Sequence, residues 1–145
     1  MDSAGLTAVA SERQNQVDAV LGRFFSLARK RAAALGSVYE ELWADLEAGT
    51  AGGKRFRPRM DFAAYEALGG TDLDAAANVG AAFELLHTAL IVHDDVIDRD
   101  FVRRGAPNLA GSFRDRALAE GRDRAAAEHR GLSAAVIAGD LALFT

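Results

Sequence analysis

The chain has 145 residues, of which 50% are hydrophobic, and its formal net charge at pH 7 is −4. This length accommodates one domain but not two of ordinary size. Acidic and basic residues are interspersed, so no basic stripe indicates binding to nucleic acid or to an anionic membrane surface. The absence of cysteine excludes disulfides, thiolate metal sites and cysteine nucleophiles, and it agrees with a reducing compartment.

The composition is typical of an all-α protein. Only two prolines are present, alanine is abundant, and no segment alternates apolar and polar residues as a β-strand does. The N-terminus lacks a basic region followed by an apolar core, so we expect no signal peptide, and we expect no apolar run long enough to span a bilayer. These features predict a cytoplasmic protein without a transmembrane segment.

The first third of the chain predicts two helices joined by a tight turn. Residues 1–10 are small and polar, and we expect them to be disordered. The capping-box sequence that starts at Ser11 predicts a helix from there to Gly36. A second capping box at Ser37 predicts a short helix that ends near Gly49.

Residues 49–59 (GTAGGKRFRPR) combine glycines with a concentration of positive charge. The basic residues of this segment are Lys54, Arg55, Arg57 and Arg59. Glycine lets a backbone approach a ligand closely, and Pro58 suits the first turn of a helix, whose amide groups attract anions. The segment is therefore either an anion-binding loop or a basic turn between helices, and its residues alone favour neither.

The remainder predicts further helices. We expect a third helix over residues 58–68, a central helix capped by Thr71 or Asp72 that continues to about Phe101, and a loop over residues 103–111. A charged helix interrupted at Gly121 should follow. The last segment is apolar and ends without a cap, so we expect the chain to be the first part of a larger all-helical domain.

The central helix carries an acidic DDxxD cluster, Asp94, Asp95 and Asp98. Like charges this close on a helix repel one another, so either a divalent metal or the nearby arginines should neutralise them. At 3.6 residues per turn, His87, Asp94 and Asp98 lie within about 40° on one face, which Glu84 continues, and Asp95 lies about 100° from Asp94. Mg²⁺ binds through one or two carboxylates plus waters and phosphates. The pattern predicts a metal-bound phosphate, the alternative being a solvated helix end.

Three further residues have competing interpretations. His87 shares the acidic face and is expected to bind a ligand, the alternative being a buried histidine in a plain structural bundle. His93 points away from that face, which favours packing or hydrogen bonding. Asp140 is expected to be a helix cap.

Four motifs occur in the order and spacing of the trans-isoprenyl diphosphate synthases, also called polyprenyl synthetases. They are GGKRFRP at residues 52–58, ELLHTALIVHDDVID at 84–98, RRGAP at 103–107 and AVIAGDLAL at 135–143. From about Gly52 onward the chain resembles the N-terminal part of such an enzyme, of geranylgeranyl diphosphate synthase type. The resemblance implies the N-terminal half of the all-α isoprenoid-synthase helical bundle, a homodimer, and Mg²⁺-dependent head-to-tail condensation of isopentenyl diphosphate with an allylic diphosphate.

The resemblance also implies roles for individual residues. The carboxylates that coordinate Mg²⁺, and through it the allylic diphosphate, would be Asp94, Asp95 and Asp98. Arg103 would contact the allylic diphosphate directly. The groups that hold the diphosphate of isopentenyl diphosphate would be Lys54, Arg57, His87 and Arg104.

Bulky aromatic residues a few positions before the first aspartate commonly stop elongation in this family. Ala89 and Leu90 occupy those positions here, which favours geranylgeranyl diphosphate or a longer product. The chain departs from the family pattern after RRGAP, where Asn108 and Ala110 stand in place of a threonine and a histidine.

The second aspartate-rich motif of the family does not occur in these residues, so we expect the chain alone to be inactive. The alternative function is a non-catalytic fragment or regulatory partner of a full-length synthase. A terpene cyclase is disfavoured, because GGKRFRP and RRGAP would serve a second diphosphate that a cyclase does not bind.

Overall fold

The computed structural model describes residues 3–51 and 55–145. Within these ranges the elements are α1 (Ser3–Ala33), α2 (Ser37–Thr50), α3 (Phe56–Ala67), α4 (Leu73–Asp98), β1 (Val102–Arg103), β2 (Ala106–Pro107), α5 (Leu109–Ala119) and α6 (Arg124–Leu143). The prediction of an all-α domain is confirmed, with one short β-hairpin between α4 and α5 as the addition.

The start of α1 differs from the sequence prediction. The helix begins at Ser3 and not at Ser11. Residues 1–2 lie outside the described residues, and the expectation that residues 1–10 are disordered stays a prediction. Residues 6–10 (LTAVA) contain neither glycine nor proline, so nothing in their backbone stops the helix from extending past Ser11 toward the N-terminus.

The capping box predicted at Ser37 does not form. Gly36 is the N-cap of α2, and no side chain caps this helix. Gly36 has a φ of 144°, a backbone conformation that residues with a side chain rarely adopt, so the glycine makes the turn and Ser37 already belongs to the helix.

The central helix α4 packs against α1, α2, α3 and α6. Asp72 caps it as predicted and accepts a hydrogen bond of 3.0 Å from the Ala75 amide. The helix ends at Asp98, before the predicted Phe101, because Arg99 adopts a left-handed conformation with a φ of 56°.

By length and composition, α4 could span a membrane, contrary to the sequence expectation, and among the described residues it alone meets this test. Its most apolar 18-residue window is 50% buried within the fold. Ten of its residues are buried, including Ala81, Leu85 and Val92. Burial of this kind is what the central helix of a bundle requires, since a helix that is apolar around much of its circumference packs in the core.

Small residues bring α5 and α6 close together. Gly131 of α6 lies against the Ala110 carbonyl oxygen of α5 with no room for a Cβ. Ala110 is itself buried, with 1% of its surface exposed. A larger side chain at either position would separate the two helices, so this contact determines how closely α5 lies on α6.

A β-hairpin replaces most of the loop predicted over residues 103–111. Val102 pairs with Pro107 and Arg103 with Ala106, and the two-residue turn between the strands is Arg104–Gly105. Both turn residues have positive φ values, 54° and 80°, as a type I′ hairpin turn requires. The strands are too short for alternating hydrophobicity to have predicted them.

Candidate functional site

The acidic cluster lies at the C-terminal end of α4, and its three carboxylates have different surroundings. Asp94 and Asp98 are exposed, whereas Asp95 is only 5% exposed. This difference follows from the helix geometry that the sequence predicted, because Asp95 is about 100° from Asp94 around the helix. Asp94 and Asp98 are thus the carboxylates available to solvent.

Asp95 is bonded to Arg103 of the β-hairpin. The Arg103 Nε lies 3.2 Å from each carboxylate oxygen of Asp95, and the Nη2 atom donates to the same group. This hydrogen bond, joined by the negative charges of Asp95 and Asp94, raises the pKa of Arg103 against the opposing effect of desolvation. Arg103 therefore neutralises Asp95 and draws the hairpin to the end of α4.

The residues expected to hold a metal do not by themselves form a complete coordination set. Across residues 8–51 and 55–145, no three His, Asp or Glu side chains are grouped so that they could hold a metal ion. Asp94 and Asp98 remain exposed on the predicted face. A cation at this face would need ligands from outside these side chains, such as water or phosphate oxygens.

Arg55 is part of the structural core, where its guanidinium is bonded to other residues of the chain. It is 6% exposed, and its guanidinium lies 2.7 Å from Glu84 Oε2, 2.8 Å from Asp18 Oδ1 and 2.9 Å from the Thr50 carbonyl oxygen. Glu84 was expected to continue the acidic face, but it is buried and paired with Arg55. These three partners come from α1, α2 and α4, so Arg55 connects three helices.

The other basic residues of the segment 49–59 are Lys54, Arg57 and Arg59, and the structure describes only the two arginines. Arg57 and Arg59 are exposed in the first turn of α3. Lys54, expected to hold a diphosphate, lies outside the described residues, so its role stays a prediction. Of the predicted diphosphate ligands in this segment, Arg57 alone has a position within the part of the chain that the structure describes.

The pKa of His87 is affected by burial and by the charges of several arginines. Its pKa is lowered first by burial and then by the positive charges of Arg57, Arg103 and Arg104, while Glu84 opposes these effects. The structure therefore brings three of the arginines that the resemblance implicates into the electrostatic neighbourhood of this histidine. A lowered pKa keeps the imidazole neutral near pH 7, so it offers a neutral ring among cationic groups.

A cavity of about 250 Å³ opens between the end of α2, α4 and the hairpin. Its charged wall contains Arg103, Arg104 and Asp95, and its apolar wall includes Leu46 and Val92. The sequence did not predict that α2 lines this cavity, to which it contributes Asp45, Leu46, Ala48 and Gly49. Their spacing carries no chemical signal, because they lie here only through the packing of α2 beside α4.

His93 and Asp140 contact each other across α4 and α6. His93 Nε2 lies 3.2 Å from Asp140 Oδ1, a contact that agrees with the predicted packing or hydrogen-bonding role of His93. The expectation that Asp140 caps a helix is wrong, because Asp140 lies within α6 and its side chain is directed to α4. An added Cβ on the neighbouring Gly139 would lie 2.7 Å from His93 Nε2, so the imidazole packs on bare backbone.

Several named prenyl diphosphate synthases resemble part of this chain. The short chain isoprenyl diphosphate synthase of Methanothermobacter thermautotrophicus is 52% identical over 58 residues, which are 40% of this chain and 18% of that protein. The nonaprenyl diphosphate synthase of Mycobacterium tuberculosis is 39% identical over 97 residues, 66% of this chain and 23% of that protein. The chain thus spans less than a quarter of these relatives' length.

The fold also matches a solved structure. The geranylgeranyl pyrophosphate synthase of Corynebacterium glutamicum, in complex with isoprenyl diphosphate and magnesium, superposes with a TM-score of 0.76 at 27% identity. The match covers 99% of this chain and 40% of that one, which confirms an isoprenoid-synthase helical fold. Residues 40–145, most of the chain, match the family model described as polyprenyl synthetase. The chain belongs to the polyprenyl synthetase family.

Proposed function

We propose that the protein to which this chain belongs is a prenyltransferase that condenses isopentenyl diphosphate with an allylic diphosphate. The observation that carries the proposal is that the hairpin places Arg103 on Asp95 at the end of α4, where Asp94 and Asp98 are exposed on the neighbouring face. Metal-binding carboxylates beside guanidinium groups suit a diphosphate, whose oxygens accept bidentate hydrogen bonds from arginine.

The residues present fit Mg²⁺ when a diphosphate completes its coordination. Asp94 and Asp98 would hold the cation, because they are exposed on the same face of α4, and Asp95 is engaged by Arg103. When bound, Mg²⁺ would supply positive charge to a departing diphosphate. The predicted role of Asp95 as a third ligand would require its bond to Arg103 to rearrange.

The arginines of this site would bind and orient diphosphate oxygens. Arg104 lines the cavity beside α4, and Arg57 lies close enough to His87 to affect its pKa. We propose that these residues, with Lys54, hold isopentenyl diphosphate, and that Arg103 contacts the allylic diphosphate. Neutral His87 could donate one hydrogen bond to a phosphate oxygen without adding to the repulsion among the arginines.

An apolar face would receive the hydrocarbon chain and exclude water from a carbocation. Leu90 is 58% exposed and lies one turn before Asp94, whereas Ala89 is fully buried in the core. Leu90 therefore belongs to the open face and Ala89 does not. The absence of an aromatic side chain at position 90 supports a geranylgeranyl or longer product, and we propose a homodimer on the resemblance alone.

The test is an elongation assay on the full-length protein with isopentenyl diphosphate, farnesyl diphosphate and Mg²⁺. We expect an elongated prenyl diphosphate, and we expect Asp94→Ala to abolish most of the turnover. Absence of product from the intact protein, or turnover that Asp94→Ala leaves unchanged, would overturn the proposal. The same assay on residues 1–145 alone should show no product, and activity restored by adding a second synthase subunit would favour a regulatory partner instead.

A further inference from the structure

The side chain of Asn108 makes two hydrogen bonds, one to a residue that follows it in the chain and one to a residue that precedes it. Its Oδ1 accepts from the Gly111 amide at 2.9 Å, which caps α5, and its Nδ2 donates to the Asp100 carbonyl oxygen at 2.9 Å. Its own backbone amide donates to the Phe101 carbonyl oxygen at 3.2 Å. One residue therefore caps a helix and closes the base of the hairpin that precedes it.

The segment closed by Asn108 contains both arginines of the candidate site. Arg103 lies in β1 and pairs with Asp95, and Arg104 occupies the turn with a φ of 54°. Few backbone conformations are allowed to a non-glycine residue in the left-handed region, so the hairpin backbone sets the direction of the Arg104 side chain. The positions of both guanidinium groups thus depend on where the hairpin base is held.

Two further contacts hold the same base against α5. The Arg114 guanidinium lies over the Phe101 ring, 4.6 Å from its centroid. Gly111 lies against the Phe101 carbonyl oxygen with no room for a Cβ. Because α5 packs closely on α6, these contacts attach the base of the hairpin to the helical core of the fold. Asn108 contributes side-chain hydrogen bonds to this attachment.

We propose that Asn108 is a positioning residue, whose bond to Asp100 sets the placement of Arg103 and Arg104 for diphosphate binding. This inference rests on the proposed function. A carboxamide can do both tasks because it carries an acceptor and a donor on separate atoms, whereas a carboxylate can only accept. Asn108, which replaces the threonine that usually follows RRGAP in this family, therefore makes one hydrogen bond with each polar atom of its side chain.

The Asn108→Asp variant of the full-length protein separates the two tasks. Aspartate retains the cap of α5, where a negative charge is favourable, and loses the bond to the Asp100 carbonyl. We expect a melting temperature near that of the wild type, a KM for the diphosphate substrates raised about 3- to 10-fold, and a kcat within about twofold. Asn108→Ser, which retains a capping oxygen without the charge, should show the same division.

Asp123→Ala is the matched control. Asp123 caps α6 by accepting from the Ala126 amide at 2.9 Å, and it has no bond to the hairpin. This variant should lower the melting temperature and leave KM unchanged. Wild-type KM values in both Asn108 variants, or a KM that rises equally in Asp123→Ala, would overturn the inference.

Calorimetric binding of inorganic pyrophosphate distinguishes this inference from the proposed function. Asn108 lines the same cavity as Arg103 and Arg104, so the uncharged Asn108→Ser variant is the one to compare. Weaker pyrophosphate binding by Asn108→Ser supports the positioning role even if the wild-type protein gives no elongated product. Elongation by the wild type together with unchanged pyrophosphate affinity and unchanged KM in the variants would retain the proposed function and overturn the role of Asn108.

Discussion

Arg55 and Glu84 form a buried ion pair in which the Arg55 Nη1 lies 2.7 Å from the Glu84 Oε2. Their side chains are only 5% and 10% exposed, so neither charge is well solvated. Arg55 has a second carboxylate partner in Asp18, whereas the Glu84 Oε1 atom has no hydrogen-bond partner among the described residues. Arg55 therefore neutralises the buried carboxylate of Glu84 on the core face of α4.

Removing Arg55 should destabilise the fold more than removing Glu84. Arg55→Met leaves the Glu84 carboxylate buried without its cation, which typically costs about 3–5 kcal/mol. Glu84→Met should cost less, because Arg55 retains Asp18. Urea unfolding of the full-length variants measures the two values, and the reverse order would contradict this account. Arg124→Met, which removes an exposed pair with Glu128, should leave the unfolding midpoint unchanged.

Gly139→Ala should destabilise the contact between α6 and α4. The new methyl group would lie 2.7 Å from His93 Nε2, and the displacement that relieves this overlap typically costs about 1–3 kcal/mol. This cost opposes the gain of about 0.5–1 kcal/mol that alanine has over glycine within a helix. Gly22→Ala is the control, because Gly22 is exposed within α1 and its added Cβ meets nothing within 4 Å. That variant should gain about 0.5–1 kcal/mol. Equal melting temperatures for the two variants would show that the His93 contact is unimportant.

Asp94→Asn should weaken Mg²⁺ binding in the presence of inorganic pyrophosphate. The exposed Asp94 carboxylate is proposed to be a direct ligand, so loss of its charge should lower the affinity about tenfold or more. Asp74→Asn, on an exposed aspartate in the first turn of the same helix, is the control and should bind as the wild type does. Calorimetric titration of Mg²⁺ measures both, and equal affinities in the two variants would exclude Asp94 as a ligand.

Stability should fall as the pH drops below the ordinary histidine pKa of 6.5, and His87 should cause part of the loss. Burial and the charges of Arg57, Arg103 and Arg104 lower its folded-state pKa, so the unfolded chain binds a proton at a higher pH than the folded chain does. The contribution of His87 to the free energy of unfolding is therefore complete above pH 6.5, and it is lost as the pH falls from 6.5 toward the folded-state pKa.

Urea unfolding at pH 7.5 and pH 5.5 measures this dependence, and His87→Gln should show a smaller difference between the two pH values. Pyrophosphate should raise the His87 pKa in an NMR titration, because the anion offsets the charges of the arginines. A His87 pKa at or above 6.5 without pyrophosphate would contradict the electrostatic environment described for this residue.

Much of the fold follows from local sequence signals. The absence of strand periodicity predicted helices, Asp72 marked the start of α4, and Gly121 marked the break between α5 and α6. The spacing of Asp94 and Asp98 placed them on one face. These features depend on neighbouring residues and on the 3.6-residue period of the helix, so they can be predicted without knowing how the helices pack.

Tertiary structure alone determined which charged residues serve the site and which serve the core. Arg55 and Arg57 are two residues apart in one basic segment, yet Arg55 is buried against Glu84 and Arg57 is exposed. Asp95 is likewise separated from the other aspartates by its bond to Arg103. Pairings between distant residues depend on how helices pack, and burial makes an unpaired charge costly, so the packed fold assigns the partner of each charge.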